Sequence, residues 1–373
     1  MKILTILGTR PEIIRLGEVI RLLDRQASHV LVHTGQNYDE RLSDQFFKEL
    51  DVRAPDEQMG IREATMGGQI GRILEHSETL MRKHRPDRLL ILGDTNSGLS
   101  AVIARRLGIP VYHMEAGNRG YDDRVPEEVN RRVIDHCSTV LMPYTERSRA
   151  NLLAEGIPGQ RIFVTGNPIK EVMDLCGERV AASRILDDLQ LPPRGFFLVT
   201  AHRAENVDNE DTLRRLMTAL EQVHARYALP IVCSLHPRTK VKLEAFGITT
   251  AAGIRFAPPF GFCDFLRLEG NAFCTLSDSG TVQEETCILG VPNVTIRDVT
   301  ERPETMECGS NILAGTTPEG IMAAVALATG PGRQWTPPPE YLRDNVAATV
   351  CRIVLSERIP DAAEVEWQQG RRG

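Results

Sequence analysis

The sequence has no apolar run near the roughly 20 residues that a membrane-spanning helix needs. Its eight cysteines include no Cys-x-x-Cys pair, so no zinc site and no other metal centre is expected. Cys233, Cys274 and Cys287 lie in apolar segments and are interpreted as buried thiols of a reduced, cytoplasmic protein. A strand is predicted from Ile3 onward, and the segment does not have the pattern of a signal peptide. This also favours a cytoplasmic location.

Two nucleotide-binding motifs are also absent. The chain contains neither a Walker A motif nor a Gly-x-Gly-x-x-Gly motif, so ATP and NAD are poorly supported as ligands. The net charge of −6 argues against nucleic acid as the default partner, although a local basic cluster can still bind phosphate. A length of 373 residues indicates two globular domains.

Short apolar segments alternate with helical patterns along the whole chain. Segments rich in Val, Ile and Leu that are joined by helices indicate parallel sheets covered on both faces. The sequence therefore predicts an α/β protein with two doubly wound domains facing a central cleft, the first closing near residue 168. Strands are predicted at 3–7, 30–33, 89–92, 111–114, 140–142 and 162–164, then at 196–200, 231–235, 254–256, 273–276 and 293–296.

Ligands of such sheets bind at the carboxyl ends of the strands, so polar residues directly after a predicted strand are candidates. Arg10 precedes a predicted helix whose N-terminus favours an anion. Asp94 follows a later strand, where it can serve as an acid, a base, a hydroxyl acceptor or an N-cap. Glu115 ends the strand at 111–114, and Glu127 with Glu128 opens a helix.

Two acids delivered from a strand end and a helix start can converge on one substrate, as general acid–base chemistry requires. The alternative is that Glu127 and Glu128 only favour the helix dipole and that Glu115 caps a turn. His202 and His236 follow successive strands of the second domain, where histidine can bind phosphate, transfer a proton or be structural.

The most readable motif is the strand, glycine turn and helix around Gly280. Main-chain N–H groups at such a helix N-terminus point at an anion. Glu285 lies about a turn and a half into the helix and can reach a ribose diol, while Arg302 adds positive charge after the next strand. The combination predicts a nucleotide diphosphate held mainly by the second domain, with carboxylates from the first facing a sugar.

In this order the motifs resemble the non-hydrolysing UDP-N-acetylglucosamine 2-epimerase family, and they extend over nearly the whole chain. The segments that carry the resemblance are Gly8–Glu12, Gly93–Thr95, Glu115–Gly117, Pro126–Glu128 with Asn130 and Arg131, His202 with Arg203, Ser277–Gly280, Gln283–Glu285 and Glu301–Glu304.

The resemblance implies a GT-B fold with two Rossmann-like domains, 1–168 and 169–343, and a C-terminal helix within 344–373 that packs back on the first. It also implies a cytoplasmic homodimer without a metal or redox cofactor, acting in polysaccharide precursor synthesis. The implied isomerase eliminates UDP in anti fashion across C1–C2 of the sugar, giving 2-acetamidoglucal. UDP then adds back with the opposite configuration at C2, interconverting UDP-GlcNAc and UDP-ManNAc.

By the same resemblance, the acid/base set is Asp94, Glu115 and Glu127, and His202 acts at the diphosphate. The residues expected to bind UDP or the sugar are Arg10, Arg15, Arg131, His236, Phe260, Phe265, Ser279, Gly280, Thr281, Glu285 and Arg302.

Three departures from the family pattern leave alternatives open. Many members carry Lys at the position of Arg15, and members activated allosterically usually carry Gln-His-Arg where residues 36–39 stand. Residues 341–345 replace a usual Asn-Pro-Tyr-Gly-Asp-Gly. These features resemble a branch that forms UDP-N-acetyl-L-fucosamine from the L-talose isomer. Alternatives of another class are a GT-B glycosyltransferase and a nucleotide-sugar sensor.

Overall fold

Strands and helices alternate in two parallel sheets in a computed structural model, which describes residues 1–35, 46–235, 237–249 and 253–357. One compact unit comprises Met1–Val172 with Arg343–Gly373, and the other comprises Met173–Leu342. Within the described ranges no helix is long and apolar enough to cross a membrane.

The first unit contains a six-stranded parallel sheet in the order β3-β2-β1-β4-β5-β6. The strands β1, β4, β5 and β6 are largely apolar and buried, because helices cover both faces of the sheet. Chain connections run in opposite directions from β1 and β4, which opens a crevice at their carboxyl ends. The strands are β1 (Lys2–Leu7), β2 (Ser28–His33), β3 (Glu57–Gln58), β4 (Arg88–Leu92), β5 (Val111–Met114) and β6 (Val140–Met142).

The first helix of this unit follows β1 directly and has Pro11 in its first turn, where a missing N–H costs no hydrogen bond. Its apolar residues recur every three or four positions and face the sheet. The helices in chain order are α1 (Arg10–Gln26), α2 (Met66–His84), α3 (Ser100–Arg106), α4 (Pro126–Cys137), α5 (Glu146–Ala154) and α6 (Ile169–Ala182), which begins in this unit.

The second unit repeats this strand order, with β12-β11-β10-β7-β8-β9 all parallel. Its switch point therefore lies between β7 and β10. The strands are β7 (Phe197–Thr200), β8 (Ile231–Ser234), β9 (Ile254–Ala257), β10 (Cys274–Ser277), β11 (Asn293–Thr295) and β12 (Asn311–Leu313). The helices are α7 (Ile185–Asp188), α8 (Ala204–Val207), α9 (Glu210–Tyr227), α10 (Pro237–Ala245), α11 (Phe262–Asn271), α12 (Gly280–Leu289), α13 (Pro303–Glu307) and α14 (Pro318–Ala328).

The last described helix, α15 (Val346–Leu355), belongs to the first unit and packs against α1. The Sγ atom of Cys351 lies 3.7 Å from the carbonyl oxygen of Val19. The buried guanidinium of Arg88 donates to the carbonyls of Val354, in the last turn of the helix, and of Ser356, which follows it. These contacts hold α15 on the first unit.

The predicted α/β class with two doubly wound sheets is confirmed, and Cys233, Cys274 and Cys287 are buried as predicted. The strand predicted at 162–164 is wrong. Ile162 forms only an isolated bridge with Leu141, because Pro143 at the end of β6 has no N–H with which to continue the ladder. Strands β3 and β12 were not predicted, since they are short and partly polar.

Candidate active site

The first switch point begins with a turn that has no room for a side chain. A Cβ atom on Gly8 would lie 2.0 Å from Thr34 Oγ1 and 2.5 Å from Ser97 Oγ, and these two hydroxyls are hydrogen-bonded at 3.0 Å. Glycine is therefore required where β1, β2 and the segment after β4 approach each other. The turn leads directly into Thr9 and Arg10 at the start of α1.

Glu12 ties together the loops after β1 and β4. Its Oε2 accepts from the Gly8 N–H at 3.0 Å, the Thr9 N–H at 2.7 Å and the Thr9 hydroxyl at 2.8 Å. Its Oε1 accepts from the Thr95 hydroxyl at 3.2 Å. Burial raises the pKa of Glu12 to about 7, and the hydrogen bonds from Thr9, Gly8 and Thr95 oppose that shift only in part.

We expect the wild type to lose stability as pH rises through about 7, and we expect Glu12→Gln to lack this loss. Because the folded pKa of Glu12 lies above its unfolded value, ionisation destabilises the fold as pH rises through about 7. The wild type should lose roughly 2 to 3 kcal/mol through this group between pH 5 and 8, at about 1.4 kcal/mol per pKa unit. A Gln side chain can accept the Gly8 and Thr9 bonds and donate to Thr95.

Urea unfolding of wild type and Glu12→Gln at pH 5, 7 and 8 measures this difference directly. Subtracting the two profiles removes the contribution of every other titrating group. Parallel profiles for the two proteins would contradict the role assigned to Glu12.

Glu115 occupies a strained turn after β5, with φ of +65°, and Gly117 follows with φ of +79°. Positive φ at a non-glycine residue is uncommon and concentrates at functional sites. Arg15 Nη1 donates to Glu115 Oε2 at 2.7 Å, and both side chains are buried. The guanidinium of Arg15 also lies over the ring of Tyr144, 5.8 Å from its centroid. The Glu115 carboxylate and the Tyr144 ring thus both hold the planar guanidinium of Arg15 in place.

Asp94 follows β4 and is held by Arg131 of α4, whose Nε donates to Asp94 Oδ2 at 2.8 Å. Asn130 donates to the Asp94 carbonyl at 3.0 Å. Asp94 and Glu115 thus follow adjacent strands at one edge of the sheet, where Leu92 pairs with Met114. Each carboxylate has a guanidinium against it.

The two acids at the start of α4 differ in environment. Glu128 is buried and accepts from the N–H groups of Gly120 and Tyr121 and from Arg131 Nη1, at 3.0, 3.1 and 2.7 Å. Burial raises the pKa of Glu128, but these bonds outweigh it and hold the pKa below its usual value. Glu127 is half-buried in the same turn. Glu128 therefore anchors the loop that precedes α4.

A buried ion-pair network supports the loop that carries Glu115. Asp135 accepts from the Gly117 N–H at 3.1 Å and contacts His113 Nδ1 and Arg119 Nη2, each at 2.8 Å. Arg119 also donates to Glu155 at 2.6 and 2.8 Å. Burial raises the pKa of Asp135, but His113 and Arg119 outweigh it and hold the pKa below its usual range.

The remaining predicted residue of this unit, Arg10, lies at the start of α1. Its guanidinium carbon is 5.6 Å from the ring centroid of Phe46. This contact positions a positive charge beside the Gly8 turn. Arg10, Asp94 and Glu115 thus follow the carboxyl ends of β1, β4 and β5. Glu127 lies at the start of α4, and Arg15 and Arg131 lie further along α1 and α4.

In the second unit, Asp278 organises the switch point between β7 and β10. Its Oδ2 accepts from the N–H groups of His202 and Arg203 at 2.9 Å each and from Asn206 Nδ2 at 3.1 Å. Its Oδ1 lies 3.3 Å from Nδ1 of His202, whose ring is 41% exposed. A buried carboxylate thus fixes the loop after β7 and presents His202 to solvent.

The start of α12 has the features of an anion site. Ser279 is its N-cap residue, and the Ser279 and Thr281 hydroxyls lie 3.0 Å apart. A Cβ atom on Gly280 would lie 2.6 Å from Glu301 Oε1, so a larger residue there would have to displace this buried carboxylate. Free N–H groups in a first helical turn bind phosphate well.

Arg302 lies under this helix start. Its Nε donates to the buried carboxylate of Glu284, and its guanidinium approaches the position that a Gly280 side chain would occupy. Glu304 accepts from the Tyr341 hydroxyl at 2.8 Å. Tyr341 therefore stabilises the Arg302 segment, even though the usual motif around it is absent.

Three further residues predicted to bind UDP or the sugar lie on α11, on α12 and in the loop before α11. Phe260 and Phe265 are partly buried against an apolar cluster that includes Leu268. Glu285 is 4% exposed on α12. His236, also predicted as a binding residue, lies outside the described residues, as do residues 36–39 of the activator comparison.

Sequence reasoning did not assign Glu12, Asp278, Asp135 or Glu269, a buried acid of α11. Glu12 had a detectable signal, because an acid three residues after Thr9 is typical of a capping box. The partners of the others are distant in sequence.

Two sheets of Rossmann order, with acids at one switch point and a Ser-Gly helix start at the other, define a GT-B-type α/β protein suited to a nucleotide ligand. The chain belongs to the UDP-N-acetylglucosamine 2-epimerase family, whose model matches residues 21–355.

Individual relatives agree with this assignment. UDP-N-acetylglucosamine 2-epimerase of Methanococcus maripaludis is 39% identical over 368 residues, covering 96% of this chain and 100% of the relative. UDP-2,3-diacetamido-2,3-dideoxy-D-glucuronate 2-epimerase of Pseudomonas aeruginosa is 36% identical, covering 88% and 93%. The Methanocaldococcus jannaschii UDP-GlcNAc 2-epimerase, solved in complex with UDP-GlcNAc and UDP, superposes with a TM-score of 0.90 at 39% identity, covering 95% and 99%. The family resemblance, the GT-B fold and the isomerase class are thereby confirmed.

Proposed function

We propose that the protein interconverts UDP-GlcNAc and UDP-ManNAc as a non-hydrolysing 2-epimerase. The main support is the near-full-length likeness to an epimerase solved with UDP-GlcNAc and UDP. The arrangement of Asp94 and Glu115 at adjacent strand ends suits the same chemistry. A cytoplasmic homodimer with domains 1–168 and 169–343, acting in polysaccharide precursor synthesis, completes the proposal.

The reaction requires a base, because the C2 proton is not alpha to a carbonyl and is not acidic. A carboxylate from the set Asp94, Glu115 and Glu127 removes this proton while the C1–O bond to UDP breaks, leaving 2-acetamidoglucal. UDP then adds back to C1 as a carboxyl group returns a proton to the opposite face of C2. Arg15 and Arg131 fix two of these carboxylates, Glu115 and Asp94, through charge-assisted hydrogen bonds.

The departing diphosphate gains negative charge and needs preorganised positive partners. His202, Arg10 and Arg302 supply charge, and Ser279, Gly280 and Thr281 supply the helix N-terminus. Glu285 accepts ribose hydroxyls, while Phe260 and Phe265 offer apolar contact to uracil. Arg131 and His236 complete the proposed binding set.

Proton NMR of the enzyme with UDP-GlcNAc in D2O tests the proposal. We expect signals of the 2-epimer with deuterium at C2, because the base exchanges the abstracted proton with solvent. Epimerisation with protium retained at C2 would contradict the elimination mechanism.

The sequence motifs also resemble the branch that acts on 6-deoxy sugars, which supplies a second candidate substrate. If UDP binds but UDP-GlcNAc does not react, UDP-2-acetamido-2,6-dideoxy-L-talose should be converted to UDP-N-acetyl-L-fucosamine. Failure with both sugars would overturn the proposed activity in favour of the glycosyltransferase.

A further inference from the structure

Glu269 is a fully buried acid on α11 that the proposed reaction does not use. Within the described part of the chain, no N–H or O–H donor is assigned to either of its carboxyl oxygens. Its carboxyl group instead interacts with that of Glu285 on the neighbouring helix α12. Two carboxyl groups thus meet behind the proposed ribose site.

Two buried carboxyl groups in contact cannot both be ionised, so they share a proton. Burial, reinforced by the negative charge of Glu285, raises the pKa of Glu269 well above its usual range. The proton therefore resides on Glu269, which becomes the donor. Glu285 accepts this hydrogen bond through one of its carboxyl oxygens.

The surroundings of Glu269 do not require an acid. Adjacent residues of α11 and the chain near it form an apolar cluster that includes Leu268, Ala272 and Val291. Burying a polar group there costs free energy unless it is hydrogen-bonded, and an apolar side chain of similar size would fit without that cost. The acid therefore serves its contact with Glu285 rather than the packing of the fold.

We infer that Glu269 is a positioning residue, whose carboxyl group donates a hydrogen bond to Glu285 and holds that carboxylate in the orientation that accepts ribose hydroxyls. The inference rests on the proposed function, in which Glu285 binds ribose. Phe265 lies one turn before Glu269 on the same helix face, so α11 would support the nucleoside through both residues.

Two variants separate this role from simple packing. Glu269→Gln keeps a neutral donor toward Glu285, whereas Glu269→Leu removes the donor and keeps the volume. Calorimetry would measure binding of UDP, 2′-deoxy-UDP and 3′-deoxy-UDP to the full-length protein. We expect Glu269→Leu to bind UDP about tenfold more weakly, the size of one hydrogen bond to a charged group, with unchanged affinity for the deoxy analogue that lacks the contacted hydroxyl.

Glu269→Gln should keep the discrimination between UDP and that analogue. Glu285→Ala should weaken UDP binding, and adding Glu269→Leu to it should produce no further loss. If Glu269→Leu does not fold, Glu269→Met supplies the same comparison.

The outcomes distinguish ribose binding by Glu285 from the positioning of Glu285 by Glu269. A wild type that binds UDP and both deoxy analogues equally would refute ribose binding by Glu285 in the proposed function. If the wild type binds UDP more tightly than a deoxy analogue and Glu269→Leu shows the same difference, only the positioning role of Glu269 is overturned. Equal loss in Glu269→Gln and Glu269→Leu would also overturn it.

Discussion

Glu115→Gln is expected to lower kcat by about 10²- to 10⁴-fold, the range that a positioned acid or base contributes. The amide cannot take or give the C2 proton, yet it can still accept the hydrogen bond of Arg15 and preserve the turn. UDP affinity should remain within about threefold of the wild type, because the proposed phosphate and ribose contacts lie elsewhere. Single-turnover kinetics and UDP calorimetry measure the two quantities.

Asp94→Asn should behave in the same way, since Arg131 can still donate to its amide oxygen. Glu78→Gln is the matched control, because Glu78 forms an exposed pair with Arg82 on α2 and has no proposed role. Loss of UDP binding together with turnover in Glu115→Gln would refute the division of roles between the two units. Full activity in Glu115→Gln would remove this residue from the acid/base set.

The strand ends of the candidate site could be predicted from the sequence because the rule that locates them is local. An apolar run that stops at a polar residue marks the carboxyl edge of a parallel sheet, as at Asp94 and Glu115. The same reasoning identified Gly280 and its helix. It failed at 162–164, where Pro143, directly after the neighbouring strand β6, has no N–H with which to continue the ladder.

The partners of those residues could not be predicted, because they are set by the tertiary fold. Arg15 and Glu115 are 100 positions apart, and 72 positions separate Asn206 from Asp278. Neither separation carries a periodic signal. Glu269 resembles any acid on an amphipathic helix until α12 covers it. Propensity and patterning thus specify the scaffold, while the packing of helices specifies the charge state of its acids.

Asp135→Asn is expected to destabilise the protein by about 3 to 5 kcal/mol at pH 7, the usual cost of breaking a buried ion pair from one side. Asp135 is fully buried between His113, Arg119 and the Gly117 N–H. The amide removes the negative charge that pairs with the buried guanidinium of Arg119. His113 Nε2 already faces the Gly93 carbonyl at 2.8 Å and gains no new acceptor.

The pH dependence of this loss has a definite sign. Because the folded pKa of Asp135 lies below its usual value, its contribution is present above about pH 4 and disappears as pH falls through the folded pKa. The difference between wild type and Asp135→Asn in urea unfolding should therefore shrink below pH 4. Glu155→Gln, which alters a partly exposed partner of Arg119, should cost no more than about 1 kcal/mol. If Asp135→Asn has the same unfolding free energy at pH 7 as the wild type, the prediction is wrong. The turn at Glu115 would then not depend on this network.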